Sequence, residues 1–251
     1  MDTPQVLRLA EGFHLRQAVD NIAWADLGDG AVVIDALEQP ELRDEVFSAI
    51  RSTLGEAVRV RCVLNTHTHY DHVALNEAFV REWGSEVLNF HTARLKADAR
   101  WLEGPKRRMR ILPMPGCHTE EDCVAWFPAD KVLFVGDIFG WGLIPLTRDL
   151  RDESALHLVE TYRRLIDFGA GAVVPGHGPI ARTADLARWV EYFRWLIATA
   201  KAGVAAGRSD EELIRDLAPP DDMRSWWRFL QWKHEDSAGK VVRAVRRGRL
   251  T

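Results

Sequence analysis

The chain has 251 residues, 47% hydrophobic and 28% charged, with a formal net charge of −4. That composition suits a globular protein with a sizeable core and excludes wholesale disorder, while the acidic balance gives no electrostatic footprint for nucleic acid or an anionic membrane. Three cysteines, Cys62, Cys117 and Cys123, are too few and too scattered for a disulfide framework or a CxxC zinc ribbon.

The N-terminus lacks a basic start followed by an apolar stretch, and no run approaches about 18 apolar residues. Neither a signal peptide nor a membrane span is expected, and the cytoplasm is the expected location. The first third reads as short strands: "VLRLA", "FHLRQ", "NIAWADL" and "AVVIDAL", with Gly28-Asp29-Gly30 turning between the last two. Pro40 opens a helical stretch to about Leu54, where Leu42, Val46, Ile50 and Leu54 recur at four-residue spacing. "VRVRCVLNT" is a strand, 74–83 is helical, "EVLNF" is a strand, and "TARLKADARWL" reads as helix, with His91 just before it.

Three more strands follow in "RMRILPMPG", "CVAWFPA" and "KVLFVGD". "ESALHLVETYRRLIDFG" is an amphipathic helix, "GAVVPGHGP" a buried strand running into a tight turn, and the chain after Ala181 is helical with a break at "APPDD". Strands followed by helices, twice over, suggest two packed sheets with helices outside. The basic end "KVVRAVRRGRL" reads as a solvated helical face, and the Trp226–Trp232 stretch as core or as a homodimer surface.

Nine histidines are present, and three of them crowd into "NTHTHYDH" at 65–72. Partners come downstream: His118 in "GCHTEED", Asp137 ending "VLFVGD", and His177 in "VVPGHGP". Each lies at or just past the carboxyl end of an expected strand, where loops present functional side chains from a rigid scaffold. In an extended segment residues i and i+2 point the same way, so His67 and His69 can grip one ion together; Asp71 and His72 follow as the chain turns. Imidazole and carboxylate without cysteine suit a hydrolytic zinc site better than a structural one.

HTHYDH, then G-C-H-T, then G-D, then P-G-H-G resembles the metallo-β-lactamase-fold superfamily of metal-dependent hydrolases, over residues 20–180 and with the motifs in the family's order. The resemblance implies an α/β fold, a four-layer αββα sandwich with the site at one rim. It implies a catalytic domain over 1–204 and a helical C-terminal extension over 205–251 packed on it. Metal 1 would be held by His67, His69 and His118, metal 2 by Asp71, His72 and His177, with Asp137 bridging. Two zinc ions are expected, with iron or manganese as alternatives. A hydroxide shared by the ions would be the nucleophile, oriented by Asp71, and a small ester, thioester or lactone-like molecule the substrate.

The bridging Asp137, general among hydrolases of thioesters, lactones and phosphodiesters, argues against a true β-lactamase, and the missing basic cluster against a nuclease; a phosphodiesterase or β-lactamase stands as a lesser alternative. Lactonases usually place a tyrosine shortly after that aspartate, where this chain has Phe139 and Trp141. Glyoxalase II-type thioesterases carry a basic helical C-terminal domain; the helices here have arginines, but no glutathione clamp can be aligned. An iron-dependent persulfide dioxygenase would use the first site alone, and a scaffold that had lost its chemistry would need neither, so the retained ligands count against both.

The motif P-G-C-H-T has Cys117 inserted relative to the family's P-G-H-T. Thr66, Thr68 and Thr119 flank ligands, Asp35 is either a support behind the site or a strand-end turn acid, and His91 either reaches the rim or caps a helix. Trp141, Leu143 and Ile144 form an apolar wall or a packing loop. His14, His157 and His234 have no ligand spacing, and Tyr70 is a spacer without an assigned role.

Overall fold

A computed structural model of the chain describes residues 3–93, 99–142 and 154–250. Two compact units emerge: one comprising Met1–Met114, Glu121–Asp137 and Ala170–Ala181, the other Pro115–Glu120, Ile138–Gly169 and Arg182–Thr251. The expected boundary near 204 falls at the end of a long helix inside the second unit.

The first unit holds two mixed sheets. One runs in the order β1 (Gln5–Ala10), β2 (Phe13–Gln17), β3 (Ile22–Asp26), β4 (Ala31–Ile34), β5 (Val60–Leu64), β6 (Glu86–Leu88). The other runs β11 (Ala172–Pro175), β10 (Val132–Gly136), β9 (Cys123–Phe127), β8 (Arg108–Pro113), β7 (Arg100–Glu103). Pairing is antiparallel except for β4 with β5, β5 with β6, and β10 with β11.

Alternate residues of both sheets meet in one buried core: Phe13, Leu15, Val32 and Leu64 from the first, Ile111, Ala125, Phe127 and Phe134 from the second. Each large apolar side chain buried there contributes about 1.5–3 kcal/mol of transfer free energy. The opposite face of the first sheet supplies Ile22, Trp24, Val33 and Val63, covered by Val46, Phe47 and Ile50 of α1 (Arg43–Leu54) and by Ala78 and Phe79 of α2 (Asn76–Trp83). The hydrophobic spacing 42-46-50-54 is this buried stripe.

The second unit is helical: α3 (Ser154–Ile166), α4 (Thr183–Ala205), α5 (Asp210–Asp216), α6 (Asp221–Arg224) and α7 (Gln231–Arg246). Tyr162 of α3 stacks on Trp189 and Phe193 of α4, with ring centroids 6.5 and 6.4 Å apart. Trp226, half-buried, packs against Trp189 at 5.7 Å and Trp141 at 5.4 Å, while Trp232 stays exposed. The α/β sandwich class expected from the sequence is the one observed.

One element differs. "TARLKADARWL" was expected to be helical, but Arg100–Glu103 is strand β7, with Arg100 opposite Ile111 and Leu102 opposite Met109. Leu102 enters the core and Trp101 faces out, a period of two that the helix-forming residues before it conceal. Among the described residues no helix is long and apolar enough to cross a membrane.

Candidate metal centre

Because β4 and β5 run parallel, as do β10 and β11, their carboxyl ends lie together at one rim of their sheets. Asp35 follows β4, Asn65 to His72 follow β5, Asp137 follows β10 and His177 follows β11. The loop after β5 is anchored along its length. Asn65 N–H donates to Leu88 O at 2.8 Å, and the Asn65 amide donates to His72 O at 2.8 Å. Tyr70–His72 form a single 3-10 turn after His69, which keeps the His72 ring 4.1 Å from that of His67 and leaves the Tyr70 ring exposed.

His67 Nε2 and His69 Nδ1 face each other at 3.0 Å. His177 Nε2 lies 3.3 Å from Asp71 Oδ2 and 3.2 Å from Asp137 Oδ2, while His72 Nε2 lies 3.5 Å from Asp137 Oδ1 and 3.8 Å from Asp71 Oδ1. One donor atom from each of His67, His72 and Asp137 falls within 4.8 Å of the others, and the same holds for Asp71, His72 and His177. The first unit thus brings together six of the seven expected ligands.

The seventh, His118, belongs to the second unit and is 6% exposed. It sits in a turn closed by Gly116 N–H donating to Thr119 O at 2.7 Å. α3 holds that turn through the His157 ring, 2.9 Å from Pro115 O, and through Thr161, 3.3 Å from Cys117 Sγ. His157, left structural on spacing, is therefore a strut for a ligand loop. Within the first unit, Met114 N–H donates to Asp122 O at 2.8 Å.

Two carboxylates, Asp35 and Asp20, orient candidate ligand imidazoles from behind. Asp35 is fully buried and accepts from Thr66 N–H at 2.7 Å and from the Thr66 hydroxyl at 3.0 Å; His72 Nδ1 is 3.0 Å from it. Asp20 Oδ1 lies 2.9 Å from His177 Nδ1, and Glu121 pairs with the His91 ring. Asp35 is thus a support rather than a turn acid. Asp20 and its neighbour Asn21 were missed by the sequence reading. The Asn21 amide donates to Pro175 O at 2.9 Å and Gly178 O at 2.8 Å, fixing the P-G-H-G turn. Their one sequence signal is a polar pair just before an apolar strand.

Gly136 explains the G-D pair: its φ is +52°, and a Cβ there would collide with the Thr66 hydroxyl and lie 2.7 Å from Thr66 Cβ. The cysteines stay outside the chemistry. All three are buried, and burial pushes the Cys62 thiol to about 12 and Cys123 upward as well. Phe139 is buried and Trp141 packs on it at 5.4 Å, so Trp141 takes part in a packing loop; Leu143 and Ile144 lie outside the described residues.

The residues fit a cation. Two carboxylates, Asp71 and Asp137, share one small space; burial and the Asp137 charge oppose ionisation of Asp71, yet the His177 and His72 rings outweigh them and hold its carboxyl below the usual carboxylate range. His72 Nε2 is buried with no hydrogen-bond partner among the described residues, aimed at both. Burial alone would lower His72, but the Asp35 and Asp137 carboxylates outweigh it and raise it to about 9. Burial likewise opposes a charge on His177, yet Asp137, Asp20 and Asp71 raise it well above the usual range. The metal-free centre thus takes up protons where a metal ion would supply the same positive charge.

Comparison with known proteins agrees. Over 115 residues, 41% of each chain, the sequence is 32% identical to the hydroxyacylglutathione hydrolase of Rhodospirillum rubrum. Over 126 residues, 47% of each, it is 28% identical to that of Legionella pneumophila. The match thus spans less than half the length of these curated relatives. A metallo-beta-lactamase from Pontibacter korlensis superposes with a TM-score of 0.64 at 21% identity, covering 76% of this chain and 99% of that one. A double mutant of the sec-alkyl sulfatase PisA1 gives 0.71 at 14% identity, covering 97% of this chain and 50% of that one. At these identities the structures show the fold alone. Residues 20–114, which include the HTHYDH motif, match the family model of the Metallo-beta-lactamase superfamily.

Proposed function

We propose that the protein is a hydrolase carrying two zinc ions that cleaves a small ester, thioester or lactone-like substrate, with a thioester favoured by the similarity to hydroxyacylglutathione hydrolases. The observation that carries this reading is the convergence of Asp71, Asp137, His72 and His177 on one space, where His72 Nε2 has no hydrogen-bond partner among the described residues. His67, His69 and His118 would hold the first ion, Asp71, His72 and His177 the second, and Asp137 both. When bound, the ions supply a water of lowered pKa and polarise the substrate's carbonyl oxygen.

The chain's own residues set the stage for that chemistry. Asp35 and Asp20 hold the Nδ1 side of His72 and His177, which leaves each Nε2 as the ligand atom. Asp71 Oδ2 lies 3.3 Å from His177 Nε2, and Asp71 would orient the attacking water while it helps to hold the second ion. No serine or thiol nucleophile is needed.

The test is metal analysis with a substrate panel. Purified protein is expected to carry two zinc ions, to hydrolyse a thioester or lactone in preference to a β-lactam or phosphodiester, and to lose activity on chelation and on His118→Ala. One iron per chain, with oxygen uptake on a persulfide and no hydrolysis, would overturn the reading.

Metal affinity should also depend on pH with a defined sign. His72 must be neutral at Nε2 to bind an ion, yet its raised value of about 9 keeps it protonated at neutral pH in the metal-free protein. Binding therefore releases protons, and affinity rises about tenfold per pH unit for each proton released, levelling off for His72 above its own titration. Chelator competition between about pH 7 and 9, corrected for the chelator's protonation, measures this; a flat profile would contradict it.

A further inference from the structure

Glu121 stands three residues past His118 and starts the chain segment that returns to the first unit. Its carboxylate takes two donors from different loops: the Thr68 hydroxyl on Oε1 and the His91 ring on Oε2. Thr68 lies between His67 and His69, whose ring nitrogens face each other at 3.0 Å, so a grip on its side chain holds the backbone that carries both. His91 is set by a turn of its own, in which Asn89 Oδ1 accepts from His91 N–H and Thr92 N–H, both at 3.0 Å. That turn follows β6, which runs parallel to β5, so it emerges at the same rim as the ligand loop. Two residues on, Cys123 N–H donates to Thr66 O at 2.8 Å, so the backbone beside Glu121 is itself stitched to the ligand loop. One side chain, 22% exposed, thereby joins the loops after β5 and β6 to the approach to β9.

We propose that Glu121 is a positioning residue that fixes the His67–His69 ligand pair by gripping the residue between them. It acts on the first metal site alone, because the second site's imidazoles are held by Asp35 and Asp20 instead. The proposal rests on the metal-dependent reading above. The Glu121 carboxylate does not touch the reacting atoms; its effect passes through Thr68.

The experiment uses the full chain, with His177→Ala as a background that leaves the first site. In that background, Glu121→Ala is expected to weaken zinc binding about 10–100-fold by chelator competition, while Glu121→Gln, which keeps an acceptor for Thr68, restores most of it. His91→Ala, which leaves the Thr68 contact, should shift affinity by less than about threefold. In the metal-free wild-type background, Glu121→Ala should also speed amide exchange across 66–70 without moving the global unfolding temperature in proportion. Unchanged zinc affinity, or an equal loss at the second site in a His67→Ala background, would overturn the proposal. Wild-type protein that binds no zinc would overturn the ligand role together with the hydrolase reading, whereas zinc binding with unaltered exchange in Glu121→Ala would overturn the clamp alone.

Discussion

Asp35→Ala is expected to lower the unfolding free energy by about 3–5 kcal/mol, and the unfolding temperature by roughly 10 °C for a chain of this size. The carboxylate is fully buried and takes two hydrogen bonds from Thr66, with His72 Nδ1 3.0 Å away. Alanine leaves the Thr66 N–H and hydroxyl and the His72 ring without an acceptor in a site water cannot readily reach, which is the costly way to break a buried polar group. Asp35 also adopts a φ of +61°, in the left-handed region that aspartate tolerates better than alanine, and this adds to the penalty. The loss is not only structural. Because Asp35 fixes which nitrogen of His72 faces the centre, metal affinity at the second site should fall about 10–100-fold as well.

Asp35→Asn separates the two effects. The amide oxygen can still accept from Thr66, so stability should recover in large part. The amide nitrogen, however, is a donor, and placed beside His72 Nδ1 it pushes the proton to Nε2, the ligand atom. Thermal unfolding with zinc titration reads both quantities on the same samples. Recovery of stability without recovery of affinity is the expected pattern, and equal recovery of both would show that Asp35 acts only as a packing group.

The seven candidate ligands could be read from the sequence because their signal is local: a ligand-type side chain shortly after an apolar strand, four times over. The residues that orient them could not, because their contacts span the chain. Asp20 meets His177 across 157 positions, and the Asn21 amide reaches Pro175 across 154. Nothing in "AVDNIAW" announces a turn that will arrive from the far end of the sequence. Asp35 was half legible, as a strand-end acid whose role depends on which loop packs behind it. The strands and helices followed from their periodicity, including the break at Pro219-Pro220 between α5 and α6. β7 was misread because its partner, β8, decides it: four residues are too few to show a period of their own before that pairing is known.

Gly176→Ala is the second large effect, and the backbone explains why so small a change cannot be absorbed. A methyl group at this position would collide with the Asp137 carboxylate and lie 2.7 Å from His72 Cε1. Relief by moving the main chain is blocked on both sides: Gly176 N–H donates to Gly136 O at 3.0 Å, and Gly176 O accepts from Asn21 N–H at 2.8 Å. Asp137 and His72 must therefore yield, and they are the groups assigned to bridge the ions and to bind the second one. The overpacking should cost about 1–3 kcal/mol of stability, so the protein still folds. Zinc content after loading should fall from two ions to one or fewer, with hydrolysis reduced by at least about 100-fold. Gly171→Ala is the control, since a Cβ there would meet only Lys131, at 3.7 Å, near the start of the strand that leads to Gly176. It should retain both ions and full activity. Two bound ions and undiminished turnover in Gly176→Ala would show that Asp137 and His72 are not packed against this turn in the working enzyme.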